Sequence, residues 1–133
     1  MSSILALDIG EKRVGVALAE APIYLAHPIA TLNASDDLPG SVQSLIKERD
    51  IVKVVVGYPR NQEGSETKQT ALIETVVKGL NLPGSVELAW QDESLTSVKA
   101  KEELEARGKR FEKSEVDALA ATYILEDYLK GNK

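Results

Sequence analysis

Acidic residues at three places in this sequence could together carry out chemistry on a phosphate group. Asp8 ends an apolar run, Asp92 and Glu93 come directly after another, and Asp117 opens a helical stripe near the C-terminus. Carboxylates are hard, anionic ligands that can bridge two divalent ions about 3.5–4 Å apart, the arrangement that hydrolyses phosphodiester bonds. If these positions converge, the sequence predicts a metal-dependent nuclease. The candidate catalytic and metal-binding residues are Asp8, Glu93 and Asp117, with Asp92 as the alternate for Glu93.

Each acidic position also has an ordinary structural explanation. Asp8 fits the start of a turn toward Gly10, and the acidic pair fits a solvated turn before a helix, where negative charge suits the helix dipole. Asp117 fits the third helical position after Ser114 as N-cap. Its spacing to later residues nevertheless places it on the first turn of the buried helix face. The other members of that face are Ala120, Ala121, Ile124, Leu125 and Tyr128. The two alanines would let the helix approach a sheet closely.

The elements that must position these side chains can be predicted from hydrophobic periodicity. Strands are expected over residues 4–7, 14–18, 29–32, 52–56 and 86–90. Helical spacing covers residues 42–46, 72–80, 96–106 and 115–129, and polar loops are expected over 34–40 and 108–113. Three strands joined by short turns therefore precede alternating strands and helices. This order predicts an α/β fold with a mixed five-stranded sheet flanked by helices.

Composition limits the number of domains, the kinds of metal ligand and the location that can be expected. A chain of 133 residues fits a single domain over 1–133. It has no cysteine and one histidine, so a bound metal would need carboxylate ligands, which favours Mg²⁺ or Mn²⁺, here as two ions. No apolar run is long enough for a membrane span, and the start lacks signal-peptide features, so a cytoplasmic protein without membrane contact is expected.

The charge balance opposes strong general binding of nucleic acid. The net charge is −5, whereas affinity for phosphate backbones depends on lysine and arginine. Basic residues do cluster locally, at Arg107, Lys109, Arg110 and Lys113.

A loop after the fourth predicted strand could contact a substrate phosphate. Backbone amides before a helix can hold a phosphate, and two polar side chains there add donors. The candidate substrate-binding residues in this loop are Gly57, Pro59, Arg60 and Asn61.

Four segments, over residues 7–17, 55–64, 91–97 and 116–121, together resemble the YqgF (RuvX-like) family of Holliday-junction resolvases. The resemblance covers nearly the whole chain. It implies an RNase H-like fold, metal-binding carboxylates at Asp8, at the Asp92–Glu93 pair and at Asp117, and a loop over 57–59 near the substrate. Family members are assigned to processing the 5′ end of pre-16S ribosomal RNA. The implied partners are therefore structured RNA or branched DNA, and pre-ribosomal particles.

One position departs from the family pattern. The family commonly has arginine after the acidic pair, where this chain has Ser94. Loss of that guanidinium removes a bidentate phosphate ligand. Arg13, which matches the family's basic position after Asp8, or the basic cluster at 107–113 could replace it.

Two other functions compete with the nuclease. The first is a non-catalytic RNA-binding ribosome-maturation factor of the same fold, favoured by Ser94 and the acidic charge. The second is an actin-like or sugar-kinase-like ATPase that uses Asp8, Gly10 and Gly15 as a phosphate loop. That architecture needs two such domains, and this chain has room for one. The sequence leaves monomer and homodimer open.

Overall fold

The computed structural model describes residues 2–59, 68–93, 96–108 and 113–131. Five strands form one sheet in the order β3-β2-β1-β4-β5. Their bounds are β1 Ser3–Ile9, β2 Arg13–Glu20, β3 His27–Asn33, β4 Ile51–Pro59 and β5 Glu87–Glu93. β1 pairs antiparallel with β2, and β2 antiparallel with β3, whereas β1, β4 and β5 run parallel. The predicted mixed five-stranded sheet is confirmed.

Helices cover both faces of the sheet. They are α1 Leu38–Glu48, α2 Lys68–Leu80, α3 Thr96–Ala106 and α4 Lys113–Gly131. One hydrophobic core packs α1 and α2 against the sheet, and a second core packs α4 against the opposite face. α3 packs on α4. Within the described residues, no helix has the length and apolar character needed to cross a membrane.

The β1 strand has apolar side chains on both faces because it lies at the centre of the sheet. Leu5, Leu7 and Ile9 belong to the α1/α2 core, whereas Ala6 belongs to the α4 core. Side chains alternate between faces along a strand, and the pairing of β1 with β2 has no irregularity. Asp8 therefore lies on the α4 face.

All five strands extend further than the sequence predicted, and the extensions of β4 and β5 change where candidate site residues lie. β5 continues through Asp92 and Glu93, so the acidic pair lies within the strand instead of following it. β4 continues through Gly57 and Pro59, which were expected in a loop. The cause is the parallel pairing of the two strands, which continues as far as Pro59 opposite Glu93. Neighbouring backbone groups thus override the turn-forming tendency of Gly57 and Pro59.

Three helices begin earlier than predicted, and one of them, α2, begins at Lys68 instead of residue 72. α1 starts at Leu38, inside the loop expected over 34–40, because the Asp37 side chain accepts a hydrogen bond from the Gly40 amide at 3.1 Å and caps the helix. α4 starts at Lys113, so Ser114 lies in the first turn and is not the N-cap.

Candidate active site

A glycine brings Asp8 and Asp117 to the same place. Asp8 pairs directly with Gly15 across β1 and β2. A Cβ atom added to Gly15 would overlap the backbone carbonyl group of Asp117 and crowd the amide of Ala118. The first turns of α4 thus pack against the bare backbone of β2 beside Asp8. This contact places the two predicted carboxylates on one face, at one end of the sheet.

Arg13 holds the Asp117 side chain. Its Nε donates to Asp117 Oδ2 at 2.6 Å, and the two side chains are 32% and 23% exposed. Arg13 begins β2, on the same strand as Gly15, so strand and helix are joined by both a backbone contact and an ion pair. A carboxylate offers about four lone-pair positions, so this bond leaves Asp117 able to bind a further cation.

Two tyrosines fix α4 farther along its length. Tyr123 donates to Glu103 of α3 at 2.6 Å, and burial, followed by this hydrogen bond, raises the pKa of Tyr123 to about 12. Lys53 of β4 donates to the Tyr128 hydroxyl at 2.6 Å, and this bond is the largest cause of a raised pKa for Lys53. Tyr123 is therefore neutral at physiological pH, and both tyrosines secure the helix that carries Asp117.

The two members of the acidic pair, Asp92 and Glu93, are successive residues of β5. Asp92 lines a pocket with Tyr58, Glu74 and Trp90, on the sheet face that packs against α1 and α2. Glu93 is the next residue of the strand and pairs with Pro59. Its register position is the one shared by Ala89, which packs in the α4 core. Asp92 therefore lies on the sheet face opposite to that of Asp8.

The parallel strands bring the candidate substrate-binding residues to the same edge. Val56 pairs with Leu7, so Gly57 follows at the level of Asp8, and Pro59 lies two residues beyond. Arg60 and Asn61 lie outside the described residues, as does Ser94.

The described part of the chain contains no cluster of three or more acidic or histidine side chains placed to hold a metal ion. Of the three predicted metal ligands, Asp8 and Asp117 lie on the same face of the sheet, on either side of Gly15. A larger cavity of about 450 Å³ lies nearby, between β3, α3 and α4. Its lining includes Arg107 and Glu115 but neither of the paired carboxylates.

Comparison with known proteins decides the family. The sequence profile of RuvX, described as Holliday junction resolvase, matches residues 2–131. The chain belongs to the RuvX family. The family resemblance inferred from four short segments is thereby confirmed, as is the assignment to a class of nucleases.

Relatives of this RuvX chain share about a third of its residues. A protein of Chloroflexus aurantiacus is 35% identical over 98% of this chain and 88% of its own length. One of Shouchella clausii is 36% identical over 94% of this chain and 92% of its own. Both carry the name "Putative pre-16S rRNA nuclease".

Solved structures confirm the RNase H-like fold of this RuvX chain. Thermus thermophilus RuvC in complex with a Holliday junction substrate has a TM-score of 0.60 at 15% identity, over 98% of this chain and 96% of that one. The fowlpox virus resolvase, in a complex with Holliday junction DNA, has a TM-score of 0.56 at 13% identity, over 97% of each chain. The two TM-scores support a shared fold.

Gly15 is a site residue that sequence reasoning did not assign to the nuclease. The close approach of α4 was expected from Ala120 and Ala121, but the tightest contact involves the backbone of Asp117 itself. A glycine between Val14 and Val16 in a buried strand was the available signal, because a glycine within a strand often marks a close backbone approach.

The ion pair between Arg13 and Asp117 should be measurable by a double-mutant cycle. In metal-free buffer, Arg13→Gln and Asp117→Asn should each lower the free energy of unfolding. We expect the loss in the double variant to be about 1 kcal/mol smaller than the sum of the two single losses. Urea unfolding of the four proteins measures this coupling.

A matched control for this cycle is the pair of Arg107 and Glu103. Those groups are 3.6 Å apart and more exposed, at 57% and 41%. The coupling expected for Arg107→Gln and Glu103→Gln is therefore at most about 0.5 kcal/mol. Strict additivity of the Arg13 and Asp117 changes would show that the first pair does not hold the carboxylate.

Proposed function

We propose that this chain is a divalent-metal-dependent nuclease that hydrolyses phosphodiester bonds in structured nucleic acid. The observation that carries the proposal is the close packing of the Asp117 backbone against Gly15, the pairing partner of Asp8, in a chain of the RuvX family. A central strand and the first turns of a helix supply the two carboxylates, and the register of β5 offers Glu93 as the third.

The donor set suits Mg²⁺ or Mn²⁺. Both are hard ions that prefer carboxylate oxygen, and this chain has no cysteine. Asp8, Asp117 and Glu93 would hold the metal, which when bound activates water and stabilises the departing oxygen. Arg13 keeps the Asp117 carboxylate in one orientation, and its guanidinium adds positive charge beside the phosphate position. Gly57 and Pro59 form the neighbouring edge on which the substrate backbone would lie.

The substrate we propose is structured RNA, with the 5′ end of the pre-16S ribosomal RNA as the natural target. The names of the relatives support this choice, and the Holliday junctions bound by the structural neighbours make branched DNA the second substrate class. The natural setting would then be a pre-ribosomal particle in the cytoplasm.

A non-catalytic RNA-binding maturation factor is the second candidate. It is favoured by Ser94, which stands where the family commonly has arginine, and by the net charge of −5. Such a protein would bind ribosomal RNA precursors without cutting them.

A cleavage panel separates the two functions. Purified protein is incubated with Mg²⁺, Mn²⁺ or EDTA on a pre-16S RNA fragment and on a four-way DNA junction, with Asp8→Asn as the inactive control. We expect metal-dependent cuts by the wild type and none by the variant. Binding without cleavage in either metal would favour the maturation factor, and equal cutting by both proteins would locate the activity elsewhere.

Restoring the family's arginine should improve activity. We expect Ser94→Arg to raise cleavage or substrate affinity, because a guanidinium after the acidic pair can donate two parallel hydrogen bonds to a phosphate. It also reduces the net negative charge by one unit, so the gain should be greatest at low salt.

The test of this change is a salt series of binding and cleavage. If Ser94→Arg folds normally but neither binds nor cuts better at any ionic strength, another group already fills the arginine's role. Neutralising the basic cluster over 107–113 would then identify that group by a loss of binding.

A further inference from the structure

An aromatic pair lies at the edge of the sheet, on the face opposite α4. The rings of Tyr58 and Trp90 meet edge to face, with centroids 5.3 Å apart and an interplanar angle of 81°. The Tyr58 hydroxyl donates to Glu74 Oε1 at 2.9 Å, which fixes its ring. Trp90 is 44% exposed, although it is large and apolar. The pair is a rigid aromatic surface open to solvent.

The exposure of this surface has a structural cause. β5 is an edge strand, and on this face α2 packs against β4. Leu88 and Trp90 of β5 therefore remain partly uncovered, at 37% and 44% exposure. Neighbouring exposed apolar side chains of this kind often mark a surface that contacts a partner, and tryptophan is enriched at such surfaces.

The surroundings of the aromatic pair indicate the chemistry of the partner. A pocket of about 300 Å³ is lined by Tyr58, Trp90 and two carboxylates, Glu74 and Asp92. Negative charge repels a phosphate, so the pocket does not suit the backbone of a nucleic acid. Carboxylates accept hydrogen bonds from amino groups, and adenine, cytosine and guanine carry such groups. The flat apolar ring and the acceptors together suit a nucleobase.

The position of the pocket relative to the candidate active site favours the same partner. Tyr58 lies between Gly57 and Pro59, and Asp92 directly precedes Glu93. Successive residues of a strand face opposite sides of the sheet, so the pocket and the carboxylate face share one edge. A single strand that reaches Asp8 and Asp117 can therefore pass over this edge and place a nearby base on Trp90.

We propose that the pocket formed by Tyr58, Trp90, Glu74 and Asp92 is a stacking subsite for one unpaired base of the nucleic-acid substrate. The subsite prefers bases with an exocyclic amino group over uracil and thymine. This inference rests on the proposed function and adds to it a requirement for an unpaired nucleotide close to the cleavage position.

The only tryptophan of the chain makes the proposal directly measurable. In EDTA, which prevents cleavage, wild-type protein is titrated with short single-stranded oligo(A), oligo(C) and oligo(U) while tryptophan fluorescence is recorded. We expect saturable quenching, with tighter binding of oligo(A) and oligo(C) than of oligo(U). By fluorescence anisotropy of labelled oligo(A), Trp90→Ala should bind about ten- to hundredfold more weakly, and Trp90→Phe should retain part of the affinity.

The matched control is Leu88→Ala. Leu88 is also partly exposed, on the same strand and face, but it is absent from the pocket lining, so its loss should leave oligonucleotide affinity and metal-dependent cleavage unchanged. Circular dichroism confirms that each variant is folded, and the wild-type titration needs no variant.

Four outcomes decide between the subsite and the nuclease function. Cleavage with metal but no quenching by any oligonucleotide would overturn the subsite and leave the function standing. Quenching without cleavage would support the subsite and overturn the nuclease function. If the wild type showed neither quenching nor cleavage, both the subsite and the nuclease function would be overturned. If Trp90→Ala kept full nucleic-acid affinity but lost association with another protein, the surface would be a protein-docking site and the proposal would be wrong.

Discussion

Replacing Asp8 with asparagine should abolish metal-dependent cleavage and leave the fold intact. We expect the rate to fall by at least about a thousandfold, or ~4 kcal/mol of transition-state stabilisation, because an amide is a poorer and neutral ligand for a divalent ion. Without metal, the variant should be as stable as the wild type or more so. Its amide would remove like-charge repulsion toward Asp117, whose backbone packs against Gly15, the pairing partner of Asp8.

The same variant should also lose its response to Mg²⁺. At a concentration about a hundred times the dissociation constant, a bound ion stabilises the folded state by about 2.7 kcal/mol. The wild type should show this gain in thermal unfolding, and Asp8→Asn should not. The control is Asp127→Asn, since Asp127 is exposed on α4 away from the site. Equal stabilisation of wild type and Asp8→Asn by Mg²⁺ would contradict the account.

Replacing Gly15 with alanine should damage both stability and activity. The added methyl group would overlap the carbonyl of Asp117, and this obstacle is helix backbone, which cannot move aside as a flexible side chain can. We expect the free energy of unfolding to fall by about 1–3 kcal/mol, as in overpacked cores. If α4 shifts by about 1 Å instead, Asp117 moves away from Asp8 and cleavage should fall about a hundredfold.

A second glycine provides the control for this prediction. Gly79 lies near the end of α2, and a Cβ atom there would meet nothing within 4 Å. Gly79→Ala should therefore be neutral or stabilise the protein by up to about 1 kcal/mol. Urea unfolding and cleavage rates are measured on both variants. A Gly15→Ala protein with wild-type stability and activity would show that the close contact does not position the site.

Hydrophobic periodicity was sufficient to predict the sheet. The β-branched residues between Val52 and Val56 and the apolar run in β1 depend only on local pattern, so the strands and their mixed arrangement followed from the sequence. The strand ends did not follow, because Pro59 and Glu93 are held in the sheet by each other. Pairing between residues that are far apart in the chain cannot be recognised from the local composition.

The sequence predicts which residue types form the candidate site, and the contacts between them needed the structure. Asp8 and Asp117 were predicted from carboxylates placed at the ends of apolar elements. Their link through Gly15, and the bond from Arg13 to Asp117, join residues about a hundred positions apart in the chain and needed the structure. The position of Asp92 on the face opposite to Asp8 likewise depends on the strand register, which one residue of slip would reverse.

We propose that Asp8, Asp117 and Glu93 hold a divalent ion on the α4 face of the sheet. Anomalous diffraction from crystals grown with Mn²⁺ tests it most directly, since the ion itself is located. We expect a manganese peak roughly 2.1 Å from oxygens of Asp8 and Asp117, with Glu93 as a further ligand. A peak beside Asp92 on the opposite face, or no peak at Asp8 under saturating Mn²⁺, would contradict it.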